Sequence, residues 1–206
     1  MFQGSIDMKF LCAGVFMLSA TGLAQAQTTC PTAADMTKGV RFHIAGGESE
    51  TFRQLPNSVV EARYQLSPGE TIRTLLAKGV YLLEVIEFEN GKALFDTRTT
   101  YAFPLEPTNM PAPSPGNGWS TTVARLDMGE LGQEVQVYNF GQMVTQTYGP
   151  CSYRMMPIEI QYPEEDDSKR REILHYLPEL GLSYLAEYHS QDGSDVYIYT
   201  NIEVLK

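Results

Sequence analysis

Asn90-Gly91 constrains the fold more than any other feature of this chain. A two-residue type I′ turn needs positive φ at both central positions, and Asn-Gly is the pair that accepts it most readily. The runs on either side suit strands. In residues 79–89, Val80, Leu82, Ile86 and Phe88 fall on one face and Tyr81, Leu83 and Val85 on the other. Apolar side chains on both faces describe a central strand covered on each side. Residues 92–103 supply its antiparallel partner.

The same punctuation recurs along the chain. Residues 40–45 alternate and end at Gly46-Gly47; 49–54 return, Pro56-Asn57 turns again, and 58–66 are rich in β-branched and aromatic residues. Ser67-Pro68-Gly69-Glu70 allows two readings. As a capping box with proline at the first helical position it starts a short helix, with Ile72, Leu75 and Leu76 at helical spacing and Gly79 as the stop. As a Pro-Gly turn it starts a strand over 71–77, which strands on both flanks favour. Residues 104–118 hold five prolines and read as a surface loop. Strands resume over 119–128, 133–140, 142–148 and 151–162, where Pro157 suggests an edge or a bulge. After the acidic turn 164–167 come 169–177, 182–189 and 196–205. The expected fold is all-β, about a dozen strands in an antiparallel meander. It forms a strongly curved sheet or half-barrel, with a two-sheet β-sandwich as the alternative. Residues 27–206 suit a single domain.

Residues 8–27 read as an export leader: Lys9, an apolar run over 10–18 too short to span a bilayer, then Ala24-Gln25-Ala26 as a small-x-small cleavage site. Residues 1–26 thus form an N-terminal extension and signal peptide, and residues 1–7 stand outside the fold argument. Cys12 leaves with the leader. Cys30 and Cys151 remain, and an even pair in an exported chain is expected to form a disulfide. Without a Cys-x-x-Cys, thiol oxidoreduction is disfavoured. The net charge of -10, from 25 acidic and 15 basic side chains, repels phosphate backbones, so nucleic acid is not an expected partner. No later stretch is long enough to cross a membrane as a helix.

Chemistry is sparse. His43, His175 and His189 lack metal-ligand spacing, and no metal or cofactor is expected. Asp166-Asp167 lacks the alternating calcium-loop pattern. There is no Gly-x-Ser-x-Gly and no phosphate-binding glycine loop. Glu48 with Glu50, Glu84 with Glu87, Glu159 and the 164–167 turn offer acidic pairs for glycoside hydrolysis. Glu84 stands out because it interrupts an apolar face between Leu82 and Ile86. It is a buried-acid candidate, with a salt bridge to Arg63 or Arg98 as the plainer reading. Aromatic residues crowd the second half. Tyr153, Met155, Tyr176 and Tyr184 are candidates for the lining of an apolar pocket, with simple core filling as the alternative.

Cys151-Ser152-Tyr153, a strand to Tyr162, an acidic turn and then His175-Tyr176-Leu177-Pro178-Glu179-Leu180-Gly181-Leu182 resemble the closing meander of exported bacterial β-proteins. Some of these are built like the periplasmic lipoprotein carriers (LolA-like), a curved antiparallel sheet around an apolar groove. The resemblance covers about the last third of the chain and implies a periplasmic protein without catalytic residues. The expected function is binding of a lipid or other apolar ligand, or of an envelope protein. The alternatives are hydrolysis of envelope carbohydrate by a carboxylate pair, and a purely structural protein.

Overall fold

The computed structural model describes residues 29–163 and 170–206. The leader reading with Cys12, and the acidic turn with Asp166-Asp167, lie outside the described residues. Fourteen strands follow one another there: β1 (Val40–Ile44), β2 (Ser49–Leu55), β3 (Val59–Ser67), β4 (Glu70–Ala77), β5 (Tyr81–Glu89), β6 (Lys92–Ala102) and β7 (Gly118–Asp127). Then come β8 (Glu130–Phe140), β9 (Val144–Tyr148), β10 (Cys151–Gln161), β11 (Arg171–Leu177), β12 (Leu182–His189), β13 (Ser194–Val196) and β14 (Tyr199–Val204). All pairings are antiparallel. They build one curved sheet in the order β13-β12-β11-β10-β8-β7-β6-β5-β4-β3-β2-β1-β14, with β9 beside the first half of β10. The chain is the expected meander in one sheet, not a sandwich of two.

The sheet is not closed into a barrel, yet its two edges belong to one stretch of chain. β13 borders β12 and β14 borders β1, and only Tyr197 and Ile198 separate them. The Tyr197 N–H donates to Ala186 O at 2.8 Å, and the Ala45 N–H donates to Ile198 O at 2.8 Å. The curl also appears where the turn after β4 meets the turn after β11. Ser183 donates to Gly79 O from both its N–H, at 2.8 Å, and its Oγ, at 2.7 Å. A Cβ on Gly79 would stand 2.2 Å from Gly181 O, so the approach requires glycine there.

Local chemistry explains most boundaries. Asn90 and Gly91 take φ of 50° and 78°, the positive pair that their turn demands. Residues 70–77 are strand β4. Ser67 Oγ donates to Glu70 Oε2 at 2.7 Å, so the Ser-x-x-Glu pair closes a hairpin turn instead of capping a helix. β3 and β5 satisfy the β4 backbone on both sides, which a helix would forfeit. Pro157 lies inside the sheet where β10 exchanges β9 for β8 as neighbour. Its carbonyl accepts the Gly141 N–H at 2.8 Å. A strand residue directs N–H and C=O to the same neighbour, so the missing N–H falls at this junction and leaves the β11 ladder intact.

The interior divides into two clusters. One gathers Phe42, Phe52, Tyr148, Leu177 and Leu182, all fully buried. The other gathers Tyr81, Tyr138, Met156 and Ile158. The Pro-rich loop covers the second: Met110 is buried there, and Tyr81 donates its hydroxyl to Pro111 O at 2.8 Å. Cys30 and Cys151 are bonded, with Cα atoms 5.5 Å apart. Beside that bond Tyr153 donates its hydroxyl to Pro31 O at 2.7 Å.

Candidate functional site: a concave cavity

Period-two alternation along each strand sends one set of side chains to the concave face. Ile72, Thr74 and Leu76 of β4, Gln136 and Tyr138 of β8, and Glu172 and Leu174 of β11 all reach it. Between the two core clusters these side chains leave a cavity of about 670 Å³. That size is typical of small-molecule sites. Its walls are mainly aliphatic and aromatic, and residues 195–199 at the junction of the two sheet edges form part of its rim.

The β1–β3 wall is polar and acidic. Tyr64 donates its hydroxyl to Glu48 Oε2, and Tyr199 donates to Glu50 Oε2, both at 2.6 Å. Glu50 is enclosed by protein but keeps an accessible face, which opens onto the cavity. Burial pushes its carboxyl up to about 7, and the Tyr199 hydrogen bond offsets only part of that rise. Tyr184 stacks on Tyr199 with ring centroids 3.7 Å apart. Its hydroxyl lies 2.7 Å from Tyr148 Oη and 3.0 Å from His175 Nδ1. Burial holds His175 below the ordinary histidine range. On the β8–β11 wall, Tyr138 donates to Gln136 Oε1 at 2.6 Å, Tyr162 donates to Glu172 Oε1 at 2.9 Å, and the Arg170 guanidinium lies 3.9 Å above the Tyr162 ring.

Of the four pocket residues expected from sequence, Tyr184 lines the cavity; Tyr153, Met155 and Tyr176 do not. Tyr153 and Met155 are buried in the first core cluster. Along β10 the inward positions change from odd to even at Met155-Met156, and it is Ile160 and Tyr162 that reach the void. Tyr176 is half-buried against the second cluster.

Glu84 is buried, but away from the cavity. The β4–β5 register pairs Leu76 with Leu82 and Leu75 with Glu84, skipping Leu83. This irregularity turns Glu84 away from the face Leu82 occupies. There it pairs with Arg73 of β4 and Arg98 of β6, whereas Arg63 pairs with Glu61 at 3.0 Å. Replacing Glu84 by alanine leaves two guanidiniums facing each other. The expected cost is about 2 kcal/mol, below the usual range for a broken buried pair because Arg98 is half-exposed. Urea unfolding checks it, and a midpoint unchanged from wild type would mean that solvent screens the cluster.

The histidines lie apart. His43 contacts Glu203 at 3.2 Å and His189 contacts Glu187 at 2.8 Å. Among the described residues no three metal-ligating side chains gather. The sequence reading missed Glu134, a second buried acid 3.5 Å from Arg125; its alternation with Gln136 and Tyr138 was the available cue. No family model matches this chain, and neither a curated protein nor a solved structure matches it.

Proposed function

We propose that this chain is an exported, periplasmic protein that binds an apolar ligand in the concavity of its sheet and carries out no chemistry on it. The observation that carries this reading is the cavity of about 670 Å³ walled mainly by aliphatic and aromatic side chains. The Cys30–Cys151 bond fits an oxidising compartment. No helix among the described residues is long and apolar enough to cross a membrane. The curved sheet is also consistent with the implied likeness to the lipoprotein carriers.

Calorimetric titration with neutral maltoside amphiphiles of increasing chain length tests the reading. One ligand is expected per protein, with affinity rising about fourfold per added methylene until the cavity is filled. Absence of binding at every chain length sinks it. A second reading, hydrolysis of envelope carbohydrate, draws support from Glu48 and Glu50 sharing one wall, with Glu50 poised near neutrality. Release of reducing sugar from envelope glycans, abolished in Glu50→Gln, would replace binding by catalysis.

A further inference from the structure

We infer that the cavity selects an amphiphile with a positively charged ammonium head, seated on the β1–β3 wall with its chain along the aliphatic interior. The inference rests on the apolar-ligand reading and adds the head group to it. Three observations meet on that wall. First, it holds carboxylates with spare acceptor capacity. Glu48 and Glu50 each take one tyrosine hydroxyl on Oε2, and neither Oε1 accepts a hydrogen bond from a described residue. An ionised carboxylate has about four acceptor sites. Both glutamates line the cavity, so an entering ligand can take up that spare acceptor capacity in place of water.

Second, aromatic rings frame the same place. Tyr64 and Tyr197 stand at 84° with centroids 6.2 Å apart, and both hydroxyls lie in the field of Glu48 and Glu50. Rings at right angles beside carboxylates suit an ammonium, which ring faces and anions both attract. Third, among the described residues no protein cation takes that position. Among the described residues Arg170 is the one basic side chain lining the cavity; it lies on the β8–β11 wall over Tyr162 and 3.8 Å from Glu172. Asp195 at the rim adds a further negative charge. Aliphatic Ile72, Leu76 and Leu82 continue the wall and supply the surface for a chain.

The test compares three amphiphiles of one chain length, carrying trimethylammonium, maltoside or sulfate heads. They are titrated below micelle formation at about pH 8 and about 0.15 M salt, which screens the general negative charge of the protein. Free tetramethylammonium serves as the chainless control. The ammonium head is expected to bind at least about tenfold tighter than maltoside, and sulfate weaker than either. The Glu48→Gln/Glu50→Gln double variant is expected to bind the ammonium no better than maltoside, with a far-UV circular dichroism spectrum matching wild type as evidence of an intact fold. Equal affinity for all heads, a preference for sulfate, or an ammonium preference that persists in the double variant overturns the inference and leaves the apolar-ligand reading standing. Tetramethylammonium binding as tightly as the chain-bearing form also overturns it. If no amphiphile binds, the underlying reading falls as well.

Discussion

Removing the Cys30–Cys151 bond is expected to lower the stability of the fold by about 5 kcal/mol, the largest single effect foreseen for this chain. The crosslink closes a loop with a sequence separation of 121 residues. In the chain-entropy model, such a loop restricts the unfolded ensemble by about that amount. The folded side adds a local reason. Cys30 anchors the segment entering the 3-10 turn Ala33–Thr37, whose Met36 is buried in the first cluster. Without the bond, that segment is held by its own packing and by the hydrogen bond from Tyr153 to Pro31. Urea unfolding of wild type against Cys30→Ala/Cys151→Ala provides the measurement. Coincident midpoints would remove the disulfide from the account of stability.

Glu50 gives the second large effect, with a definite sign. Its folded carboxyl titrates near 7, against 4.5 as the ordinary value. The folded state therefore holds a proton that the unfolded state has released between those two values. Stability from this group is fully present below about pH 4.5, falls as pH rises through 7, and is flat above. The fall is about 3 kcal/mol, since each pH unit of difference is worth about 1.4 kcal/mol. Glu50→Gln removes the slope: relative to wild type, the variant gains stability between about pH 5 and pH 8. Using the difference matters because Asp35, held low chiefly by its hydrogen bonds to Thr32, contributes with the opposite sign. Parallel stability curves for the two proteins would show that Glu50 is solvated as if on the surface.

How far the sequence could be read depended on whether each signal was local. The turn at Asn90-Gly91 was legible because positive φ is a property of those two residues alone. Residues 67–79 were ambiguous because a capping box and a tight hairpin turn both place Ser and Glu three residues apart; in the turn Ser67 Oγ donates directly to Glu70 Oε2, where a cap would have each side chain bind a backbone N–H. Only the neighbours β3 and β5 decide between them. Pro157 suggested an edge or bulge, but it sits where a strand changes partner, which no local pattern marks.

The candidate site was harder to read than the fold. Alternation separates two faces but does not say which one leaves a void. The irregularity at Leu83, which turns Glu84 away from the cavity, is a register effect of pairing. Tyr184 stood out only as one of the aromatic residues that crowd the second half of the chain; the pairing that sets it opposite His175 belongs to the folded sheet. Tyr153 and Met155 fall on the part of β10 that faces the core. Glu48 and Glu50 stood out only as one acidic pair among several, because their surroundings include not only Tyr64 of the neighbouring β3 but also Tyr197 and Tyr199, which the far end of the chain brings beside them.

The single stretch of chain that forms both borders of the sheet bears on self-association. Broad open sheets invite further copies to extend them through exposed main-chain groups, a route to aggregates. Here the borders are β13 and β14, of three and six residues, and the Gly149 N–H already donates to Thr200 O at 2.8 Å. Little backbone remains on β13 and β14 for a neighbouring molecule to template upon. The large apolar groups left exposed on the hairpins, such as Phe95, Met128 and Leu131, are side chains, which offer no main-chain ladder to extend.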